Sequence, residues 1–182
     1  FSQLINQNTK ELPQDNPDLK HQCMLLMDEF TSIGKVEIIA HSVSYMAGYN
    51  IRLFPIIQSV AQLDAVYGKE YARTIITNHA LQIIYTPREQ QDANEYSEML
   101  GYTTVKRKNV SRGRERSVSE SEERRALMLP QELKAMSQDK EIILYEGMSH
   151  PAQVGKIRYY QDGTFTKRLM EAVKVASLKG KR

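Results

Sequence analysis

The sequence predicts an α/β fold: a mainly parallel sheet with helices on both faces and an antiparallel edge. Three observations predict it. The apolar run Cys23-Met24-Leu25-Leu26-Met27 stops on the carboxylates Asp28 and Glu29, with Pro13, Asn16 and Pro17 before it and Ser32 and Gly34 after, which reads as a buried central strand. Apolar segments of strand length then alternate with amphipathic ones of helix length as far as Val105. Beyond Lys106 the strand-like segments are joined by short connections, as antiparallel neighbours are.

Bulk properties fit one ordinary domain. The chain has 182 residues, 41% hydrophobic and 26% charged, enough for a single core. Its formal charge of +3 is too small for a whole-protein attraction to nucleic acid, so a basic partner site must come from local clustering. A single cysteine excludes an internal disulfide, and Cys23 reads as a small buried apolar residue of a reducing compartment. No apolar stretch approaches 18 residues and no signal peptide is present, so the chain is expected to work in water. Starting on Phe1-Ser2-Gln3 without Met, it reads as part of something longer.

In chain order, residues 1–22 predict a helix tail and then a polar loop. Val36, Ile39, Ala40, Val43, Met46 and Ala47 recur at helical spacing, with Lys35, Glu37, His41 and Ser44 on the other face, so a helix lying on a sheet is expected up to Gly48. Residues 51–58 read as the next strand, with Pro55 implying an edge or a bulge because it has no N–H to donate. A helix broken at Gly68 covers Ala61 to Tyr67 and Tyr71 to Ile76, followed by a strand from Ala80 to Tyr85 that Pro87 ends. A polar helix runs from Arg88 to Leu100 with Gly101 as its stop, then a short strand from Tyr102 to Val105. The segment 106–125 is almost devoid of apolar residues and cannot bury a core; a solvated hairpin or loop is expected. Its basic half, with Lys106, Arg107, Lys108, Arg112 and Arg114, offers an alternative role in tracking a phosphate backbone. A short helix opens at Pro130, strands follow at Ile142–Tyr145 and Val154–Tyr160, and a terminal helix is expected over Lys167–Leu178, inside a basic tail at 161–182.

The chemistry-bearing feature is the acid doublet. Ligands in open α/β sheets collect outside the carboxyl ends of the strands, and two acids there form the arrangement known as Walker B. In nucleoside triphosphatases of that kind the first acid holds Mg²⁺ through its water shell and a following Glu polarises the attacking water. The plainer alternative is that Asp28 and Glu29 end a strand and cap the next helix. Gln58 closes the next apolar strand, where motor ATPases carry a polar residue that senses the γ-phosphate; by itself a Gln there would simply lead into a helix. His21, His41, His79 and His150 are widely spaced and lie in no ligand motif, so a metal enzyme is a poor reading.

Taken together, Leu26-Met27-Asp28-Glu29-Phe30, Ile33-Gly34-Lys35, Ala47-Gly48-Tyr49, Ile57-Gln58-Ser59, Gln62-Leu63, Tyr67-Gly68, Thr77-Asn78, Tyr85-Thr86-Pro87 and Arg125 to Glu132 resemble, in order, the type IV secretion coupling proteins of the TraG and TraD kind. The resemblance spans roughly Phe1 to Tyr160. It implies that residues 1–182 are the carboxyl-terminal portion of a RecA-like P-loop ATPase domain, using ATP and Mg²⁺. It also implies a membrane-anchored homo-hexamer at the cytoplasmic face of a bacterial inner membrane, delivering DNA with its relaxase, or effector proteins, to the inner-membrane components of a type IV channel. Asp28 would be the Mg²⁺-side acid, Glu29 the catalytic base and Gln58 the γ-phosphate sensor. The Walker A loop is absent: Gly34-Lys35 lacks both the preceding glycine at the required spacing and the following hydroxyl residue, so the chain alone is expected to be inactive. Tyr45-Met46 stand where some members carry an arginine, leaving Arg73, Arg88 and Arg125 as candidates for a trans-acting one. The rival function is a catalytically silent module that holds nucleic acid or a partner protein.

Overall fold

The computed structural model describes residues 1–112 and 116–171, with side chains outside 108–120. Its first layer is a parallel pair: β1 (Cys23–Met27) lies beside β2 (Ile51–Pro55), in register from Cys23 opposite Ile51 to Met27 opposite Pro55. Between them run α2 (Glu37–Ser42) and a 3-10 turn at Met46–Tyr49, so the expected single helix is split, and Asn50 turns the chain in a left-handed conformation. After β2 come α3 (Val60–Tyr67) and α4 (Lys69–Thr77), broken as expected at Gly68, whose φ of 82° suits glycine. An amino-terminal helix, α1 (Ser2–Asn8), adds Ile5 to the core.

Packing is one-sided. Leu25 and Met27 of β1 meet Phe30, Ile39, Leu63 and Ile75 in one buried cluster, each such side chain contributing roughly 1.5–3 kcal/mol by its removal from water. The alternate residues Met24 and Leu26 are 65% and 60% exposed, so β1 is not the fully buried strand expected from its composition. A strand with period-2 side chains buries both faces only where both are covered, and here helices cover one. Cys23, at the start of β1 on the same face as Leu25 and Met27, packs against this core but is only partly buried.

A second layer is antiparallel. β3 (Leu81–Ile84) pairs with β6 (Lys140–Tyr145), and β6 with β7 (Ala152–Gly155). Ile84 and Ile142 pack under Leu100 of α5 (Gln90–Leu100) and Leu133 of α6 (Pro130–Lys134). Among the described residues the parallel pairing is confined to β1 and β2, and β3, which local order alone places in a parallel sheet, takes an antiparallel partner from much later in the chain. The last expected strand is shorter than its apolar pattern, because Arg158 is drawn off to Asp139 and to Tyr160 Oη. The terminal helix differs too: α7 spans Gly163–Thr166, capped by Asp162 accepting from Thr164 N–H at 2.8 Å, and Lys167 is already its carboxyl cap. Residues 172–178 of the expected helix, like 172–182 of the basic tail, lie outside the described residues.

The charged segment is a hairpin far longer than the expected Tyr102–Val105 strand: β4 (Tyr102–Arg112) against β5 (Arg116–Ala126). Register explains it. Lys106 stands opposite Glu122 and their ends lie 3.7 Å apart; Arg107 meets Glu123 at 3.0 Å; the Arg124 guanidinium sits 4.1 Å over the Tyr102 ring. Cross-strand pairs of this kind add about 0.2–1 kcal/mol each, in place of the apolar face the segment lacks. At its base Leu127 N–H donates to Gly101 O and Arg125 pairs with Glu132, which also accepts from Leu129 N–H to cap α6.

Candidate functional site

Beyond Met27 the chain leaves β1 through a tight turn holding Asp28 and Glu29, both exposed. Glu29 adopts φ 50°, the left-handed region that costs a residue with a Cβ about 1–2 kcal/mol. What holds it there is local: Ser32 donates to the Glu29 carbonyl from both its N–H at 2.8 Å and its Oγ at 2.7 Å. Phe30 then plunges into the core, fully buried, stacked on Tyr67 at 5.2 Å between centroids. Tyr67 Oη in turn accepts from Val36 N–H at 3.1 Å, and burial pushes its phenol above the ordinary range.

The two strand exits are tied together. Ile56 N–H donates to Met27 O and Phe30 N–H to Ile56 O, so the ladder continues past both strand ends. Gln58 follows, exposed, immediately before Ser59, which caps α3 by accepting from Gln62 N–H at 3.3 Å. Thr31 Oγ1 donates to Gln62 Oε1 at 3.3 Å, a second link between the acid turn and the start of α3. Asp28, Glu29 and Gln58 therefore all lie beyond the same carboxyl edge of one parallel pair. Among the described residues neither acid is in an ion pair, which leaves hard anionic oxygens free for a hydrated Mg²⁺.

The nearby Gly34-Lys35 is no phosphate loop. Lys35 Nζ is held by Glu37 at 2.9 Å and lies 5.2 Å from the Tyr71 ring centroid. Of the arginine candidates, Arg73 on α4 and Arg88 before α5 are exposed, whereas Arg125 is engaged by Glu132. Of the basic candidates for nucleic acid, Lys106 and Arg107 each have a glutamate partner across the hairpin. Lys108 and Arg112 lie on β4 with side chains outside the described set, and Arg114 is outside the described residues. His41 is exposed and edge-on to Tyr71, and no cluster of three metal-ligating side chains occurs among the described residues. A separate groove of about 480 Å³, lined in part by His79, Gln82, Tyr145 and His150, shares no lining residue with the acid turn.

One residue escaped the sequence reading. Asp92, in the first turn of α5, is only 3% exposed, and its Oδ2 accepts from Val60 N–H at 3.4 Å. Burial pushes its carboxyl above the usual aspartate range; the Val60 bond opposes that shift, and the charges of Glu95, Glu89 and Asp64 add to it. The available signal was its place among Ala93, Ser97 and Leu100 on the inward face of α5.

The fold is mixed α/β, and its parallel pair carries an acid doublet and a glutamine beyond adjacent carboxyl ends, the edge at which ligands of open α/β sheets collect. The chain belongs to the family described as type IV secretory system conjugative DNA transfer, whose model matches residues 1–181. It is 29% identical over 175 residues to protein VirD4 of Rhizobium radiobacter, covering 94% of this chain and 25% of that one. To the conjugal transfer protein TraG of Escherichia coli it is 28% identical over 172 residues, covering 82% and 26%. It thus spans about a quarter of the length of these relatives. Among solved structures, the unbound bacterial conjugative coupling protein TrwBdeltaN70 superposes with a TM-score of 0.67 at 20% identity, over 84% of this chain and 34% of that one. The plasmid coupling protein TrwB in complex with ADP and Mg²⁺ gives 0.59 at 22% identity, over 75% and 30%. Among the described residues no helix is long and apolar enough to cross a membrane.

Proposed function

We propose that this chain supplies the hydrolytic half of the nucleotide site of a longer coupling protein, one that uses ATP to deliver DNA to a type IV secretion channel. The observation that carries the reading is the shared edge: Asp28, Glu29 and Gln58 leave neighbouring parallel strands at the same end, joined by the Phe30–Ile56 and Thr31–Gln62 contacts. Asp28 would hold Mg²⁺ through its water shell, and the bound ion would neutralise charge on the phosphates. The Glu29 carboxylate takes the proton of the attacking water, and the strained turn fixes its direction. The Gln58 amide orients that water and reports the γ-phosphate.

The remaining features follow from family membership and are proposals in the same sense: assembly as a homo-hexamer, recognition of DNA with its relaxase or of effector proteins, contact with inner-membrane channel components, and a membrane anchor outside this chain, placing it on the cytoplasmic face. Backbone amides and a lysine of a phosphate loop provide most nucleotide binding in such folds, and the sequence has no such loop. The 182-residue chain alone is therefore expected to show no measurable ATPase. In the longer protein Glu29→Gln should keep nucleotide binding and lose hydrolysis, by at least about 100-fold for removal of a general base. Loss of both together would assign Glu29 a structural role, and turnover by the isolated chain that Glu29→Gln abolishes would refute the half-site reading.

A further inference from the structure

The buried Asp92 has no part in the chemistry above, yet its place is specific. It sits in the first turn of α5, and its Oδ2 receives the Val60 N–H, the first amide of α3. Val60 is two residues beyond Gln58. The Asp92 carboxylate therefore lies between two helix amino ends, whose dipoles favour a negative charge that burial disfavours. Its other oxygen, Oδ1, is buried without a hydrogen-bond partner among the described residues. A half-satisfied buried carboxylate is an expensive way to fill space, and its one bond falls on the turn that carries Gln58.

We propose that Asp92 is the positioning residue of the Gln58 turn, holding the start of α3 to α5 through Val60 N–H. This rests on the reading of Gln58 given above. α5 ends at Gly101, whose carbonyl anchors the base of the β4–β5 hairpin, so the same helix is tied to the turn at one end and to the hairpin at the other.

The test has two arms. In the 182-residue chain, Asp92→Ala should speed amide exchange at Val60 by about five- to tenfold, the loss of one hydrogen bond, while Asp92→Asn, which keeps an acceptor oxygen, should restore protection. In the longer protein Asp92→Ala should lower kcat with KM little changed, and Asp92→Asn should recover most of it. Should the alanine variant not fold, the unmodified chain still decides. The Val60 amide proton must titrate with Asp92, at a midpoint above the usual aspartate range, in surroundings set by Glu89 at the N-cap of α5, Glu95 and Tyr96 on α5, and Asp64 on α3. A Val60 amide indifferent to pH and to Asp92→Ala overturns the proposal. So does an Asp92→Ala enzyme with normal kcat when Gln58→Ala has lost it. A Gln58→Ala enzyme with normal turnover would instead sink the sensor assignment, and is told apart because the exchange result at Val60 is independent of catalysis.

Discussion

Replacing Phe30 by Ala tests whether the acid turn is held by the core or merely follows it. Phe30 is wholly buried, stacks on Tyr67, and its N–H closes the ladder onto Ile56. Truncating a buried Phe costs about 3–5 kcal/mol, of which about 0.5–1.5 belongs to the aromatic pair. Against a total stability of about 5–15 kcal/mol that is a large fraction. With a urea m-value of about 2 kcal/mol per M, the midpoint followed by far-UV circular dichroism should fall by about 2 M. A double-mutant cycle with Leu at 30 and at 67 should return the pair energy as coupling of about 0.5–1.5 kcal/mol. A cost below about 1 kcal/mol, or no coupling, would refute the claim that this ring fastens the Asp28–Glu29 turn.

Three other perturbations bear on the same structure. Because Glu29 occupies the left-handed region, Glu29→Gly should be at least as stable as Glu29→Gln by thermal melting, whereas glycine at an ordinary position costs about 0.5–1 kcal/mol. Asp92 has a folded-state affinity for protons above its unfolded one, so stability should fall as pH rises from the unfolded aspartate value through the raised folded value. Melting curves of Asp92→Asn should lack that slope; a wild-type curve that rises with pH there, and flattens in the variant, would contradict the assigned shift. In the hairpin, Glu122→Gln with Glu123→Gln should free Lys106 and Arg107. Fluorescence anisotropy with single-stranded DNA should then show tighter binding and a salt slope steeper by about 1.4, and an unchanged slope would mean that the hairpin does not meet phosphate.

The parts of the fold legible in the sequence were those with local causes. Gly68 and Gly101 marked helix boundaries, Pro130 opened α6, and the run into Asp28-Glu29 marked β1. The candidate site was legible as well, since strand, helix, strand places Met27 and Pro55 side by side and so brings the acids and Gln58 to one edge. What depends on distant partners was not. The antiparallel pairing of β3 with β6 joins residues far apart in the chain, and the exposure of Met24 and Leu26 depends on which faces find helices. The solvated hairpin was legible from its lack of apolar residues, but its cross-strand charge pairs depend on a register that only the folded chain shows. Asp92 was missed for a related reason: only the approach of α3 to α5 shows that a carboxylate on a polar helix has an amide to receive.

The proline at the end of β2 sets a direction on the sheet. Ile56 N–H points to Met27, so in a parallel strand the odd-numbered neighbours Ile51, Leu53 and Pro55 turn toward the opposite border. A further strand laid along that border would find amide donors at 51 and 53 but not at 55, where the nitrogen belongs to the proline ring. Pairing along that border therefore loses a rung three residues before Gln58.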